Sequence, residues 1–197
     1  MRMTEKQLLV AFGTNQSFED TSPDALIVAA LHEIESDLDA DVQPSGLFRT
    51  PCFPAGAGPD YVNAAALVTL RQARTPEQVL AALHAVEARF GRVRQTRWGA
   101  RTLDIDLLAM GDVVLPDLQT HQHWRDLPSE AQQSQAPDQL ILPHPRLQDR
   151  AFVLVPLADV AAGWRHPILG RSVIEMLDAL PQADRDEVVR LTPAASA

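Results

Sequence analysis

Residues Leu103-Asp104-Ile105-Asp106-Leu107-Leu108-Ala109-Met110 read as a strand that Gly111-Asp112 turns. Side chains alternate faces along a strand, so Asp104 and Asp106 share one face while Ile105 and Leu107 enter the core. Upstream, Gly91 stops a helix that begins at Thr75-Pro76-Glu77-Gln78. Thr75 caps it, Pro76 opens it and Gln78 closes a capping box, with Val79, Leu83, Val86 and Phe90 at helical spacing. Residues 61–70 and 42–49 read as two further strands, separated by a Pro- and Gly-rich loop at 51–60. Ser22-Pro23-Asp24 starts a helix reaching about residue 38, and Leu8-Leu9-Val10-Ala11-Phe12 before it is a buried strand. The order βαββαβ predicts an antiparallel α+β sandwich. Residues 151–162 and 172–180 add C-terminal helices, and the tail after Pro193 frays. Residues 117–138 are polar and read as an insertion or long loop, with room for a helical turn, within a single domain spanning 1–197.

A chain of 197 residues with 46% apolar content builds a core without a disulfide or metal staple. One cysteine, Cys52, excludes a disulfide framework and a thiolate zinc site, and fits a reducing, cytoplasmic setting. The N-terminus lacks the apolar region of a secretory signal, and no stretch is long enough to span a membrane. A net charge of −9 argues against a nucleic-acid partner. Lys6 is the single lysine, yet Arg89, Arg92, Arg94, Arg97 and Arg101 gather between Glu87 and Asp104 with no acid among them. An acidic protein that concentrates its cations so is meeting an anion there.

Two carboxylates two strand positions apart are separated by roughly 6–7 Å, enough to share a pair of divalent ions. Oxygen donors without histidine or thiol favour Mg²⁺, whose shell a substrate's phosphates complete. The competing reading is an amphipathic strand with a solvated acidic face, and the local sequence leaves both open. Trp98-Gly99 is either a lid over a flat ligand or a packed indole. His144, between Pro143 and Pro145, is either a rigidly presented titratable group or a turn cap. Arg150 and Phe152 begin an apolar helix, where a cation and the positive helix end face an anion or Phe152 simply packs. Tyr61 and Asn63 share a strand face and suit a flat heterocycle with a polar edge. His121 and His123 have no third ligand nearby and read as solvated loop.

Together these residues resemble the 6-hydroxymethyl-7,8-dihydropterin pyrophosphokinase family of the folate pathway. The centre of the resemblance is Arg97-Trp98-Gly99-Ala100-Arg101-Thr102-Leu103-Asp104-Ile105-Asp106-Leu107-Leu108. Phe12-Gly13-Thr14-Asn15, Phe48-Arg49-Thr50-Pro51, Pro59-Asp60-Tyr61-Val62-Asn63-Ala64, Gly91-Arg92-Val93-Arg94, Pro143-His144-Pro145-Arg146 and Arg150-Ala151-Phe152 arrive in the family's order. The resemblance implies a ferredoxin-like α+β fold, a monomer, and transfer of the ATP pyrophosphoryl group to the pterin hydroxymethyl oxygen with release of AMP. It implies that Asp104 and Asp106 hold two Mg²⁺ and that Arg92 and Arg101 are catalytic, neutralising charge on the transferring group. Glu87, Arg92, Arg101, His144 and Arg150 would bind ATP. Thr50, Pro51, Phe53, Tyr61, Asn63, Asp104 and Phe152 would bind the pterin, and Trp98 would close a loop over it. The arginine loop is shorter than in some members, and residues 117–138 are longer than in compact ones. An alternative is another Mg²⁺-dependent nucleotidyl or phosphoryl transferase on a ferredoxin-like fold, which leaves Tyr61, Asn63 and Phe152 unexplained. A non-catalytic RNA-binding module requires a basic, aromatic sheet face, against the net charge of −9.

Overall fold

The computed structural model describes residues 3–52, 56, 58–91, 102–128, 131 and 135–192. Its centre is β1 (Gln7–Thr14), whose apolar residues are buried on both faces. β4 (Tyr61–Leu70) and β5 (Asp104–Met110) pair antiparallel on either side of it. β2 (Ala40–Pro44) and β3 (Phe48–Thr50) both pair antiparallel with β4, and β6 (Val189–Arg190) adds to β3. The sheet order is β5-β1-β4-β3-β6, with β2 against the far half of β4.

The single strand expected over 42–49 is therefore two strands. Pro44 has no amide to donate, and the Ser45 hydroxyl accepts the Ala65 amide at 2.9 Å where a strand carbonyl would have done so. Gly46 then turns its own amide to Asp159, at 3.0 Å.

Helices α1 (Pro23–Leu38) and α2 (Pro76–Arg89) cover one face of the sheet. Ile27, Ala30, Ile34, Val79, Leu83 and Val86 bury there against Leu8, Val10, Phe12, Ala64, Ala66, Val68, Ile105 and Leu107. The predicted capping box is present: the Gln78 amide donates to Thr75 Oγ1 at 3.3 Å and Gln78 Oε1 accepts from the Thr75 amide at 2.9 Å. Ser22 occupies the N-cap of α1, but its hydroxyl makes no capping bond. It serves the Asp24 carboxylate instead and holds that group below its ordinary pKa. Gly91 ends α2 at φ +76°, where an added Cβ would run into the Phe18 ring.

The other face is covered by α4 (Ala151–Ala161), α5 (Val173–Asp178) and Trp164. Helix α6 (Gln182–Asp186) follows. The polar stretch 117–138 contains a helix, α3 (Leu118–Arg125), longer than the single helical turn the sequence suggested. The Asp117 carboxylate accepts the Thr120 amide at 2.9 Å and starts it. Only His121 of α3 is buried, so no apolar stripe announced the helix. His121 is thus not solvated, whereas His123 is exposed as expected.

Candidate active site

The register aligns Phe48, Asn63, Gly13 and Asp104 across β3, β4, β1 and β5. Directly opposed residues share a face, so Asn63 and Asp104 flank a glycine that places no side chain between them. Tyr61 lies two positions before Asn63, opposite Thr50, and Asp106 lies two positions after Asp104, opposite Ala11. Farther along the same face stand Leu9, Ala65, Leu67 and Leu108, beneath α4. The face is therefore apolar at one end and polar at the other. A register shift between Leu9 and Val10 lets both Leu108 and Ala109 enter the apolar end.

Asp104 and Asp106 are half-buried while Ile105 and Leu107 are 2% and 3% exposed, the alternation expected from the sequence. Asn63 is buried and donates from Nδ2 to Thr50 Oγ1 at 2.8 Å. That bond fixes the amide and leaves Oδ1 beside Gly13. Tyr61 is half-buried. Glu87, expected to line the site, is 2% exposed, and its Oε1 accepts the Ile105 amide at 2.7 Å. Among the described residues β5 pairs only with β1, so this bond satisfies an amide on the strand edge between the two aspartates.

The loop carrying His144 lies beside β5. The His144 amide donates to the Leu108 carbonyl at 2.7 Å, and the ring Nδ1 accepts the Arg146 amide at 3.1 Å. The neutral ring therefore carries its proton on Nε2. Burial, then the Arg150 and Arg146 cations, push His144 down to about 3, against a smaller opposing pull from Asp104. Burial and Arg150 also lower the pKa of Arg146. Arg146 Nε stands 4.0 Å from the Asp149 carboxylate and has no hydrogen-bond partner among the described residues. Two guanidinium groups, a neutral imidazole and Asp104 thus share one electrostatic neighbourhood, arranged to receive an anion.

Arg150 is the N-cap of α4 and stands 5.6 Å from the centre of the Phe152 ring. Phe152 is 41% exposed, which overturns core packing as its role. The helix runs from Arg150 near His144 to Asp159, which binds Gly46 and Arg190 beside β3, and so crosses the sheet. Pro51 is exposed next to buried Thr50. Phe53, Arg92, Arg94, Arg97, Trp98 and Arg101 lie outside the described residues.

The donor set discriminates among metals. Among the described residues, no group of three or more histidine, cysteine, aspartate or glutamate side chains could hold an ion. Two carboxylates alone do not make a structural zinc site. They fit Mg²⁺, which keeps water and phosphate ligands around few protein oxygens.

Sequence reading did not single out Asn15 or Arg146, and it took His121 for solvated loop. Asn15 is 7% exposed and reaches the Pro59 carbonyl at 3.4 Å, while Thr14 Oγ1 donates to the Thr102 carbonyl. Arg146 had a local signal in its place after Pro143-His144-Pro145. His121 had none, because its partner lies 22 residues away.

The family model described as 7,8-dihydro-6-hydroxymethylpterin-pyrophosphokinase (HPPK) matches residues 9–162. A Pseudomonas aeruginosa protein named 2-amino-4-hydroxy-6-hydroxymethyldihydropteridine pyrophosphokinase is 36% identical over 177 residues, 89% of this chain and 93% of its own length. A Synechocystis protein of the same name is 40% identical over 120 residues, 61% of this chain and half of that relative. The structure of Plasmodium falciparum HPPK-DHPS wild type with pteroate superposes with a TM-score of 0.59 at 12% identity, covering 87% of this chain and 42% of that one. A crystal structure of HPPK-DHPS in complex with substrates gives a TM-score of 0.61 at 11% identity, over 88% and 44%. At these identities the likeness is one of fold. No helix among the described residues is long and apolar enough to cross a membrane.

Proposed function

Because this chain belongs to the 7,8-dihydro-6-hydroxymethylpterin-pyrophosphokinase family, we propose that it transfers the pyrophosphoryl group of ATP to the hydroxymethyl oxygen of 6-hydroxymethyl-7,8-dihydropterin in folate biosynthesis. The hydroxymethyl oxygen gives up its proton to water and bonds to the β-phosphorus, the bond from that phosphorus to the bridging α–β oxygen breaks, and AMP leaves with the bridging oxygen. The observation that carries this reading is the polar end of the sheet face. There two carboxylates, a buried amide, an aromatic strand residue and a cationic loop converge beside an exposed phenylalanine.

Asp104 and Asp106 are the residues that would hold two Mg²⁺. The ions supply charge for the phosphates and for the attacking oxygen when bound. Arg92 and Arg101 neutralise the transferring group, and His144 and Arg150 hold the ATP phosphates. Glu87 serves the nucleotide site by fixing the strand between the aspartates, which its bond to Ile105 supports. Tyr61 and Phe152 sandwich the pterin, and Asn63, Thr50, Pro51 and Phe53 read its edge. The Thr50 bond to Asn63 supports this, because it orients the amide before substrate arrives. Trp98 closes over the site and excludes water, the competing nucleophile. The order β5-β1-β4-β3, antiparallel with α1 and α2 on one face, supports a ferredoxin-like core in a single domain.

The test is an anaerobic assay with ATP, Mg²⁺ and the dihydropterin that resolves AMP from ADP. Pterin-dependent AMP is the expected product. Pterin-dependent ADP would mean single-phosphoryl transfer and overturn the reading.

A further inference from the structure

Helix α3 belongs to the segment that the proposed reaction leaves without a task. Its one buried residue, His121, is fully enclosed. A desolvated imidazole is costly unless its nitrogens find partners. His121 Nε2 lies 2.8 Å from the Pro143 carbonyl oxygen. A carbonyl only accepts, so Nε2 carries the proton and donates. His166 stands edge-on behind this ring, with centroids 5.9 Å apart, and is itself enclosed. The His166 Nδ1 accepts the Ile168 and Leu169 amides at 3.2 and 3.3 Å, which fixes its orientation, and Trp164 closes its other side. Burial pushes the pKa of both histidines down, which keeps the His121 tautomer neutral.

The acceptor of this bond belongs to the peptide unit that leads into His144. A peptide unit is planar, so the Pro143 carbonyl and the His144 amide are two ends of one rigid plate. The amide end donates to the Leu108 carbonyl at 2.7 Å, and the carbonyl end accepts from His121 at 2.8 Å. Leu142, one residue earlier, exchanges both backbone bonds with Leu115, at 2.9 and 3.2 Å. Pro143 has no amide, so its carbonyl is the only hydrogen-bonding group that residue owns. Of the anchors on residues 142–144, that on the carbonyl is the one supplied by a distant side chain.

We propose that His121 is a positioning residue for ATP: by holding the Pro143–His144 peptide plane, it sets the direction in which His144 presents Nε2–H to the phosphates. The polar segment is then a buttress of the nucleotide site. This rests on the reading of His144 as a phosphate contact.

Three variants test it through separate KM values for Mg·ATP and the dihydropterin. His121→Phe keeps a ring and removes the donor. It is expected to raise the ATP KM about five- to tenfold, the scale of one buried hydrogen bond, while the pterin KM stays constant. His121→Gln keeps a donor at similar reach and is expected to return the ATP KM close to wild type. In a His144→Ala background, His121→Phe is expected to add nothing, because its effect passes through His144. An unchanged ATP KM in His121→Phe, with a raised one in His144→Ala, overturns this inference and leaves the His144 reading standing. An unchanged ATP KM in His144→Ala overturns both. Additive effects in the double variant overturn it too, as does a lower Tm with both KM values unchanged. Should His121→Phe fail to fold, His121→Asn, too short for the Pro143 carbonyl, carries the same expectations.

Discussion

The two faces of the sheet are made from the same strands and differ in completeness. On the face under α1 and α2, β1, β4 and β5 contribute apolar residues along almost their whole length, from Leu8 to Phe12 and from Ala64 to Leu70. Under α4 the apolar run stops partway. Ala11 gives way to Gly13, Ala65 to Asn63 and Tyr61, and Leu108 to Asp106 and Asp104. The first face is finished by burial alone. The second is half core and half polar, and the helix that closes its core also carries Phe152, with Arg150 at its N-cap. A substitution on the first face is therefore expected to act on stability, and one at the polar end of the second on chemistry.

The sharpest break comes from Asp104→Ala or Asp106→Ala. Each is expected to lower the rate of AMP formation about 10²- to 10³-fold, the scale of removing preorganised charge stabilisation, with little change in Tm. Normal Mg²⁺-dependent turnover would move the site elsewhere. Leu83→Ala, on the first face, removes a fully buried side chain. Urea unfolding is expected to show a loss of about 2–5 kcal/mol, while the folded fraction keeps both KM values. Asn63→Ala touches both faces' logic, because the residue is buried and stands at the polar end of the second face, bonded to Thr50. The expected stability loss is about 1 kcal/mol for the Thr50 bond, with a larger relative rise in the pterin KM than in the ATP KM. Equal rises would remove its role in reading the pterin edge.

Acid sharpens the contrast further. His166 stays neutral in the native state to about 4, whereas in the unfolded chain it takes a proton near 6.5. Between those values the unfolded state binds more protons, so stability rises with pH and is lost as pH falls. His144, held down to about 3, adds in the same direction. Thermal melts are expected to show Tm falling from pH 7 toward 4.5, with a shallower fall in His166→Phe. Parallel curves for the two proteins would deny His166 this part.

Most of the frame was legible because its signals are local. The Thr75 to Gln78 box, the Gly91 stop and the alternation of Asp104, Ile105, Asp106 and Leu107 each sit within a few residues, and the structure contains all of them. β1 was legible as a buried strand from its unbroken apolar run, and the structure buries it on both faces. The break at Ser45 depends on a hydroxyl meeting Ala65, and β6 depends on a partner far back in the chain. Helix α3 hides because its stability comes from one cap and one buried histidine rather than from an apolar stripe. At the site, the paired aspartates follow from strand period. The Glu87 bond to Ile105 and the coupling of Arg146 with Arg150 are products of packing, which spacing does not encode.

The proposed function requires the unfinished end of the second face to hold two divalent ions. The most direct measurement is a count of bound Mn²⁺ by paramagnetic resonance, with a non-hydrolysable ATP analogue present, for the wild type, Asp104→Ala and Asp106→Ala. A pair of ions in the wild type and fewer in both variants is the predicted result. An unchanged pair in either variant would contradict it.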